Sequence, residues 1–345
     1  MKSRNSLIGF AAAMAVTSLG WTASASATDS ITVASWGGTL QDAQRKALFQ
    51  PAAKALGIEI KEDSLDGLAA LRAQVMSGTP TWDIVELDSS GCVLAQAEGL
   101  TEPLDYNVIE ASGVSDSMKG SNWIGVFVYA TVLAWSEGEE NAPKTWAEFF
   151  DADKFAIARS LYASPNYTME AALLADGVAP KDLYPIDVDR ALSVLERIKP
   201  KIAAWWKTGS HSVQLMRDGE VEGLAIWNGR ISELRKEGVK VAYTFQDGIV
   251  DFDCLVIARG TKKKDLAMKA LNEFLKAENQ ATFATLIDYG PVNTKAFDTG
   301  IISAERASEL ASAPENLDKM VVVDSTFWAE NLKAIQPRFD QFIQE

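Results

Sequence analysis

Thr32-Val-Ala-Ser-Trp-Gly-Gly-Thr39 passes from a short apolar, β-branched run into a tryptophan, two glycines and the opening of a helix. Strand, tight turn and helix in that order are the parts of a βαβ unit. The same rhythm recurs on either side. An apolar run at Ile31 to Ser35 leads into helical periodicity from Leu40 to Leu56, Ile58 to Lys61 into Gly67 to Met76, and Ile84 to Leu87 into Ser89 to Ala97. The pattern predicts an α/β chain with a parallel sheet and helices on both faces. Pro51 falls within the first helical stretch and predicts a break there, because proline lacks the N–H that a helix interior uses.

Trp123 to Trp135 reads Trp-Ile-Gly-Val-Phe-Val-Tyr-Ala-Thr-Val-Leu-Ala-Trp, which is nearly all apolar and too long for a routine strand. It predicts a strand crossing between two lobes, with Val250 to Ile257 returning. The text between them has its own alternation, with helices at Thr145 to Phe150, Asp187 to Lys199, Ser210 to Asp218 and Arg230 to Lys236. Strands are predicted there at Leu224 to Trp227 and Val239 to Phe245. Further helices follow at Lys264 to Ala277, Gln280 to Ile287 and Thr326 to Phe342. A chain of this length is near the size at which one core divides into two. We expect residues 28–132 with 257–303 to form lobe 1, and 133–256 with 304–345 to form lobe 2. Crossing strands between lobes make a hinge.

Lys2 and Arg4 precede an apolar run from Leu7 to Leu19 that ends in Ala25-Ser26-Ala27. This predicts a signal peptide over residues 1–27 and a periplasmic mature protein, because the apolar core is shorter than a membrane span requires. The formal net charge is −14, which disfavours nucleic acid as a partner and favours cations. The single histidine, His211, and two distant cysteines leave no usual set for a Ser-His-Asp triad or a zinc site, and no nucleotide or cofactor motif occurs. We therefore expect no cofactor and no metal. Cys92 and Cys254 are expected to be two buried thiols in preference to a bridge.

In open α/β sheets the ligand site lies beyond the carboxyl ends of the strands. Trp36 stands at such a turn, where Gly37 and Gly38 let backbone N–H groups come close. Glu86-Leu-Asp88-Ser-Ser90 offers Asp88 and Ser90 at the next turn, although Asp88 also suits a helix N-cap. Ala225-Ile-Trp227-Asn-Gly-Arg230 repeats the opening motif, so that two tryptophans could sandwich a ligand. Asp251-Phe-Asp253 puts two carboxylates on one face of a strand, costly to bury unless a cation or donor meets them. Tyr289 is presented by a Gly-Pro turn. Arg230 and Lys207 could meet a ligand carboxylate, and an internal salt bridge from Arg230 to Asp251 or Asp253 is the alternative. The acid pair could also serve a secreted hydrolase, the second reading of the chain.

Ala34-Ser-Trp-Gly-Gly38, Trp82-Asp-Ile-Val85, Glu98-Gly-Leu100, Pro143-Lys-Thr-Trp-Ala-Glu-Phe-Phe150, Trp227-Asn-Gly229, Asp251-Phe-Asp253 and Tyr289-Gly-Pro-Val-Asn293 occur in that order. In this the chain resembles the periplasmic solute-binding proteins of ABC importers, specifically the spermidine/putrescine-binding group and its Ser-Trp-Gly-Gly relatives. The resemblance implies a two-lobed type II binding fold that grips its ligand at the hinge, with aromatic rings around it and carboxylates on its ammonium groups. It implies a monomer that serves an ABC permease and has no enzymatic activity. By position, Trp36, Trp227, Asp253 and Tyr289 match site residues of the group. Asp88, Ser90 and Asp251 fall on site positions where polyamine binders show other residues. Around Asn166 the expected acids are reduced to Glu170, and Arg230 replaces a small residue. These departures favour an amine-bearing zwitterion over a linear polyamine.

Overall fold

The computed structural model describes residues 29–139 and 142–345, so the expected signal peptide lies outside the described residues. Ten strands form one connected sheet: β1 (Ser30–Ser35), β2 (Glu59–Ser64), β3 (Ile84–Asp88), β4 (Trp123–Ser136), β5 (Arg159–Tyr162), β6 (Ile202–Trp206), β7 (Gly223–Trp227), β8 (Val241–Ile257), β9 (Gly290–Pro291) and β10 (Val321–Val322). The main path runs β2-β1-β3-β8-β4-β7-β5-β6, with β10 beside β8 and β9 beside β4. β1 is parallel to β2 and β3, and β5 is parallel to β6 and β7. The two long strands at the centre, β4 and β8, run antiparallel to each other and to β3 and β7. The expected parallel sheet is thus two parallel triplets joined through an antiparallel pair.

The central pair joins the halves. β3 pairs with the far end of β8, from Ile84 opposite Ile257 to Asp88 opposite Asp253. β7 pairs with the far end of β4, from Thr131 opposite Trp227 to Trp135 opposite Gly223. The β4–β8 register shifts between Gly125 and Phe127 and again, within the stretch of β4 that pairs with β7, between Thr131 and Leu133.

The second shift corrects an expectation. The sequence predicts two strands, Val239 to Phe245 and Val250 to Ile257, separated by the turn-like Gln246-Asp247-Gly248. The structure has one strand of 17 residues, with Asp247 at φ 56. The backbone of the irregular stretch is satisfied from outside the ladder: the Trp146 indole donates to the Asp247 carbonyl (2.7 Å), and the Asp247 N–H donates to the Lys319 carbonyl (2.9 Å). A bulge supported in this way lets a strand bend without ending.

Pro51 also behaves differently from expectation. The helical stretches Gly38–Gln44 and Gln50–Leu56 are continuous through a π turn, Arg45–Phe49, and Pro51 sits in the first turn after it. The widened turn accommodates the missing N–H where an ordinary helix would kink.

Cys92 and Cys254 form a disulfide, with Cα atoms 6.5 Å apart, which corrects the expectation of two separate thiols. Leu87 lies opposite Cys254 in the β3–β8 register, and the helix Ser89–Ala97 folds back over that strand, bringing Cys92 above Cys254. A separation of 162 residues hid this contact in the sequence.

A final helix, Ser325–Gln344, is capped by Asp324, which accepts from the Phe327 N–H (2.9 Å). It packs against Ser89–Ala97 in one half and Pro165–Ala175 in the other. Among the described residues no helix is long and apolar enough to cross a membrane.

Candidate functional site

The turn after β1 needs both of its glycines, since Gly37 (φ 75) and Gly38 (φ 60) occupy the left-handed region. This turn projects Trp36 outward, 38% exposed, and its indole Nε1 donates to Asp253 Oδ2 at 2.7 Å. Asp88 ends β3 directly opposite Asp253. Its carboxylate caps the helix Ser89–Ala97 through the Gly91 N–H (3.3 Å) and accepts from Ser90 Oγ (2.6 Å). The cap and cavity readings of Asp88 therefore coexist. A Cβ on Gly91 would come within 2.6 Å of Asp88 Oδ1, so the cap also requires that glycine.

Asp251 and Asp253 are both buried, at 3% and 6% exposure, so a solvated surface strand is excluded. Asp251 Oδ2 accepts from the Tyr167 hydroxyl (2.8 Å), which is 3.0 Å from the Tyr129 hydroxyl. Tyr167 is held at φ 67 in the turn after β5, although the sequence there contains no glycine to suggest it. A bulky side chain at positive φ persists only where its surroundings over-determine it, and such residues gather at binding sites.

On the other side, β7 ends at Trp227 and the helix Gly229–Lys236 opens with Arg230. Trp227 meets Trp206 (5.1 Å) and Tyr162 (5.5 Å) edge to face, and its buried Nε1 has no hydrogen-bond partner. Arg230 pairs with Glu233 through one terminal nitrogen (2.6 Å), not with Asp251 or Asp253, and its buried Nε is also unpartnered. Two glycines make room for this arrangement. A Cβ on Gly209 would come within 2.3 Å of Arg230 Nε, and one on Gly229 within 2.3 Å of the Tyr289 ring. Tyr289 in turn stacks on Phe127, with centroids 5.0 Å apart and planes at 7°.

These groups enclose a cavity of about 470 Å³. Trp36, Asp88, Trp227, Arg230, Asp253 and Tyr289 line it. Gly38, Ser90, Lys207 and Asp251 do not. Gly38 shapes the Trp36 turn, Ser90 orients Asp88, and Asp251 lies behind Tyr167. Lys207 is exposed beyond β6, the edge strand. Glu170 is buried away from the cavity, where it accepts from the Tyr184 hydroxyl (2.6 Å) and the Trp328 indole (2.7 Å). The sequence reading missed Phe127 and Tyr129 on β4, Tyr162 at the end of β5, Ser164 and Tyr167 just after it, and Leu40 and Leu332; Asn166, which also lines the cavity, was named only as the place where acids are reduced. Phe127 and Tyr129 sit two apart on one strand face, a signal that period-two reading could have used.

Burial raises the carboxyl groups beneath this cavity. Asp251 is pushed up to about 7, and Asp253 goes well above the ordinary range because of burial and the neighbouring Glu86 and Asp88 charges. Burial likewise takes the Tyr129 and Tyr167 phenols well above theirs, so both remain neutral donors. Tyr289, pushed to about 12 by burial, feels the Arg230 guanidinium and the Asp253 carboxylate with opposite sign. The cavity thus carries an acidic floor, an aromatic wall and a single cation. Such a site attracts a desolvated ammonium group and leaves an N–H donor free for an anion.

Residues 47–311 match the family model of the bacterial extracellular solute-binding proteins. The chain is 32% identical to the gamma-aminobutyric acid-binding protein of Pseudomonas aeruginosa, with 98% of this chain and 95% of that one covered. The structure of an ABC transporter substrate-binding protein from Bradyrhizobium japonicum superposes with a TM-score of 0.89 at 41% identity, covering 92% of this chain and all of that one. A solved GABA receptor superposes with a TM-score of 0.85 at 34% identity, covering 91% and 98%. With a type II two-lobed fold and a ligand-sized cavity where strand ends from both halves meet, the chain belongs to the bacterial extracellular solute-binding proteins, as an ABC-transporter substrate-binding component and not an enzyme.

Proposed function

We propose that the cavity captures a small zwitterion with separated amine and carboxylate groups, of the γ-aminobutyrate class. Its ammonium group docks on Asp253 and Asp88 beside the Trp36 indole. Its carboxylate meets Arg230 and the Trp227 indole N–H. The observation that carries this reading is the pair of unsatisfied buried donors, Arg230 Nε and Trp227 Nε1, in a cavity whose other polar groups are mainly acids and phenols. A carboxylate that reached these donors would relieve their burial cost, about 1 to 3 kcal/mol each, and a polyamine would not. The names of the two gamma-aminobutyrate-binding relatives support the same ligand class.

On this reading the mature protein is a periplasmic monomer released by cleavage after Ala27. The half that carries β1–β3 and the Asp253 end of β8 closes against the half that carries β5–β7, and the loaded form serves an inner-membrane permease. Ligand contacts to both lobes form only on closure, so binding shifts the population toward the closed form. Thermal unfolding with a panel of γ-aminobutyrate, α-amino acids, putrescine, spermidine and opine-type conjugates tests this. We expect γ-aminobutyrate or a close homologue to raise the Tm most. A rise with putrescine or spermidine and none with any zwitterion would overturn the reading.

A further inference from the structure

Glu86 precedes Asp88 by two residues on β3, so both side chains leave the same face of the strand. Glu86 is fully buried. Its Oε2 accepts from Gln44 Nε2 (2.6 Å), and the orientation of that amide is fixed because Gln44 Oε1 accepts from Ser35 Oγ (2.6 Å). Glu86 Oε1 has no donor at all. In the β3–β8 register Glu86 stands opposite Leu255 and is therefore diagonal to Asp253 on the same face of the sheet, near enough for its charge to push Asp253 up. Asp253 Oδ2 is already taken by the Trp36 indole.

Two ionised carboxylates can only accept hydrogen bonds, so a facing pair in a dry site repels itself unless a proton sits between the two. Among the described residues no ammonium or guanidinium group pairs with either acid. The other titratable groups turned toward them are Asp88 on β3, Asp251 beside Asp253 on β8, Tyr129 on β4, and Tyr289. None of these is a cation. One shared proton satisfies the orphaned Glu86 oxygen and removes one of the two charges.

We propose that Glu86 and Asp253 share one proton in the ligand-free protein, and that a ligand ammonium arriving at Asp253 displaces it, so that capture is coupled to proton release. The inference rests on Asp253 being the amine acceptor. The balance is one cation in and one proton out to the water of the cleft, with ammonium N–H groups replacing the shared O–H as donor. Burial raises both acids in the empty site, Glu86 to about 7, which keeps that proton in place at neutral pH. A bound ammonium lowers both. Affinity is therefore fully expressed above the ligand-free values and is lost as pH falls through them, up to about tenfold for each pH unit per displaced proton.

Calorimetric titration of γ-aminobutyrate at neutral pH, in buffers of different ionisation enthalpy, reads this directly. We expect the observed enthalpy to vary with the buffer by an amount equal to about one released proton per ligand. In Glu86→Gln that dependence and the pH dependence of Kd should both flatten. Infrared spectra of the ligand-free protein provide a reading that needs no ligand: a protonated-carboxyl band at neutral pH should be present in the wild type and lost or shifted in Glu86→Gln, which separates it from that of Asp251. Measurable binding whose enthalpy is independent of buffer overturns the proposal while leaving the ligand assignment intact. So does an infrared spectrum without a protonated carboxyl group. Absence of γ-aminobutyrate binding alongside a carboxyl band that changes in Glu86→Gln overturns the ligand assignment and leaves the shared proton standing.

Discussion

Asp253 holds the Trp36 indole on one oxygen and faces Asp88 and Glu86 with the rest of its carboxylate. Substituting Asp253→Asn keeps an acceptor for the indole while removing the charge. Truncating a buried charge partner costs about 2 to 5 kcal/mol, so calorimetry should find ligand affinity reduced at least about thirtyfold with the fold intact. Arg230→Ala separates ligand classes. It should weaken a zwitterion by about ten- to a hundredfold, the value of one hydrogen bond to a charged group, and leave any diamine affinity unchanged. Equal binding of the zwitterion by this variant would remove Arg230 from the site. Trp36, Trp227, Arg230 and Tyr289 could be read from the sequence because each stands at a strand end or a glycine turn, and Asp253 because it is one of two acids on one face of an otherwise apolar strand. Tyr167 could not, because its positive φ is imposed by hydrogen bonds to Asp251 and Tyr129, which are remote in sequence.

At the level of elements, the disulfide and the bulge in β8 decide how the floor of the site is held. The bridge ties β8, one residue beyond Asp253, to the helix that Asp88 caps. Reducing it, or replacing both cysteines by serine, should lower stability by about 2 to 4 kcal/mol in denaturant titrations. Ligand affinity should fall as well, since Asp88 and Asp253 lose their common anchor. An unchanged affinity would make the bridge a purely global staple. The helices after β1, β2 and β3 were legible because their periodicity is local. β5 and β6 were not predicted, because each is a short strand with little pattern of its own and is specified by pairing with its neighbours in the sheet. The single long β8 was read as two because Gln246-Asp247-Gly248 carries a turn signal, which contacts with Trp146 and Lys319 override.

For the whole molecule, the buried acids set the pH dependence of stability. Unfolded carboxyl groups titrate near 4, whereas Asp251 and Glu86 in the folded, empty protein titrate at about 7. The folded state therefore binds more protons between these limits, and its stability falls as pH rises through that window. Thermal unfolding without ligand should show a higher Tm at about pH 5 than at about pH 8, by several degrees, with saturating ligand narrowing the difference. The two-lobed architecture was visible in the length of the chain and in the run from Trp123 to Trp135. The antiparallel centre of the sheet was not, because strand direction depends on long-range pairing that hydropathy does not record.

The central claim is that one solute lies across both halves, its amine on the acids of β3 and β8 and its acid on the arginine that follows β7. A crystal structure with bound γ-aminobutyrate tests it most directly. We expect the ammonium nitrogen within hydrogen-bond distance of Asp253, the carboxylate on Arg230 and the Trp227 indole nitrogen, and Trp36 against the alkyl chain. A ligand bound in the reverse orientation, or outside the cavity shared by Trp36 and Trp227, would contradict the account.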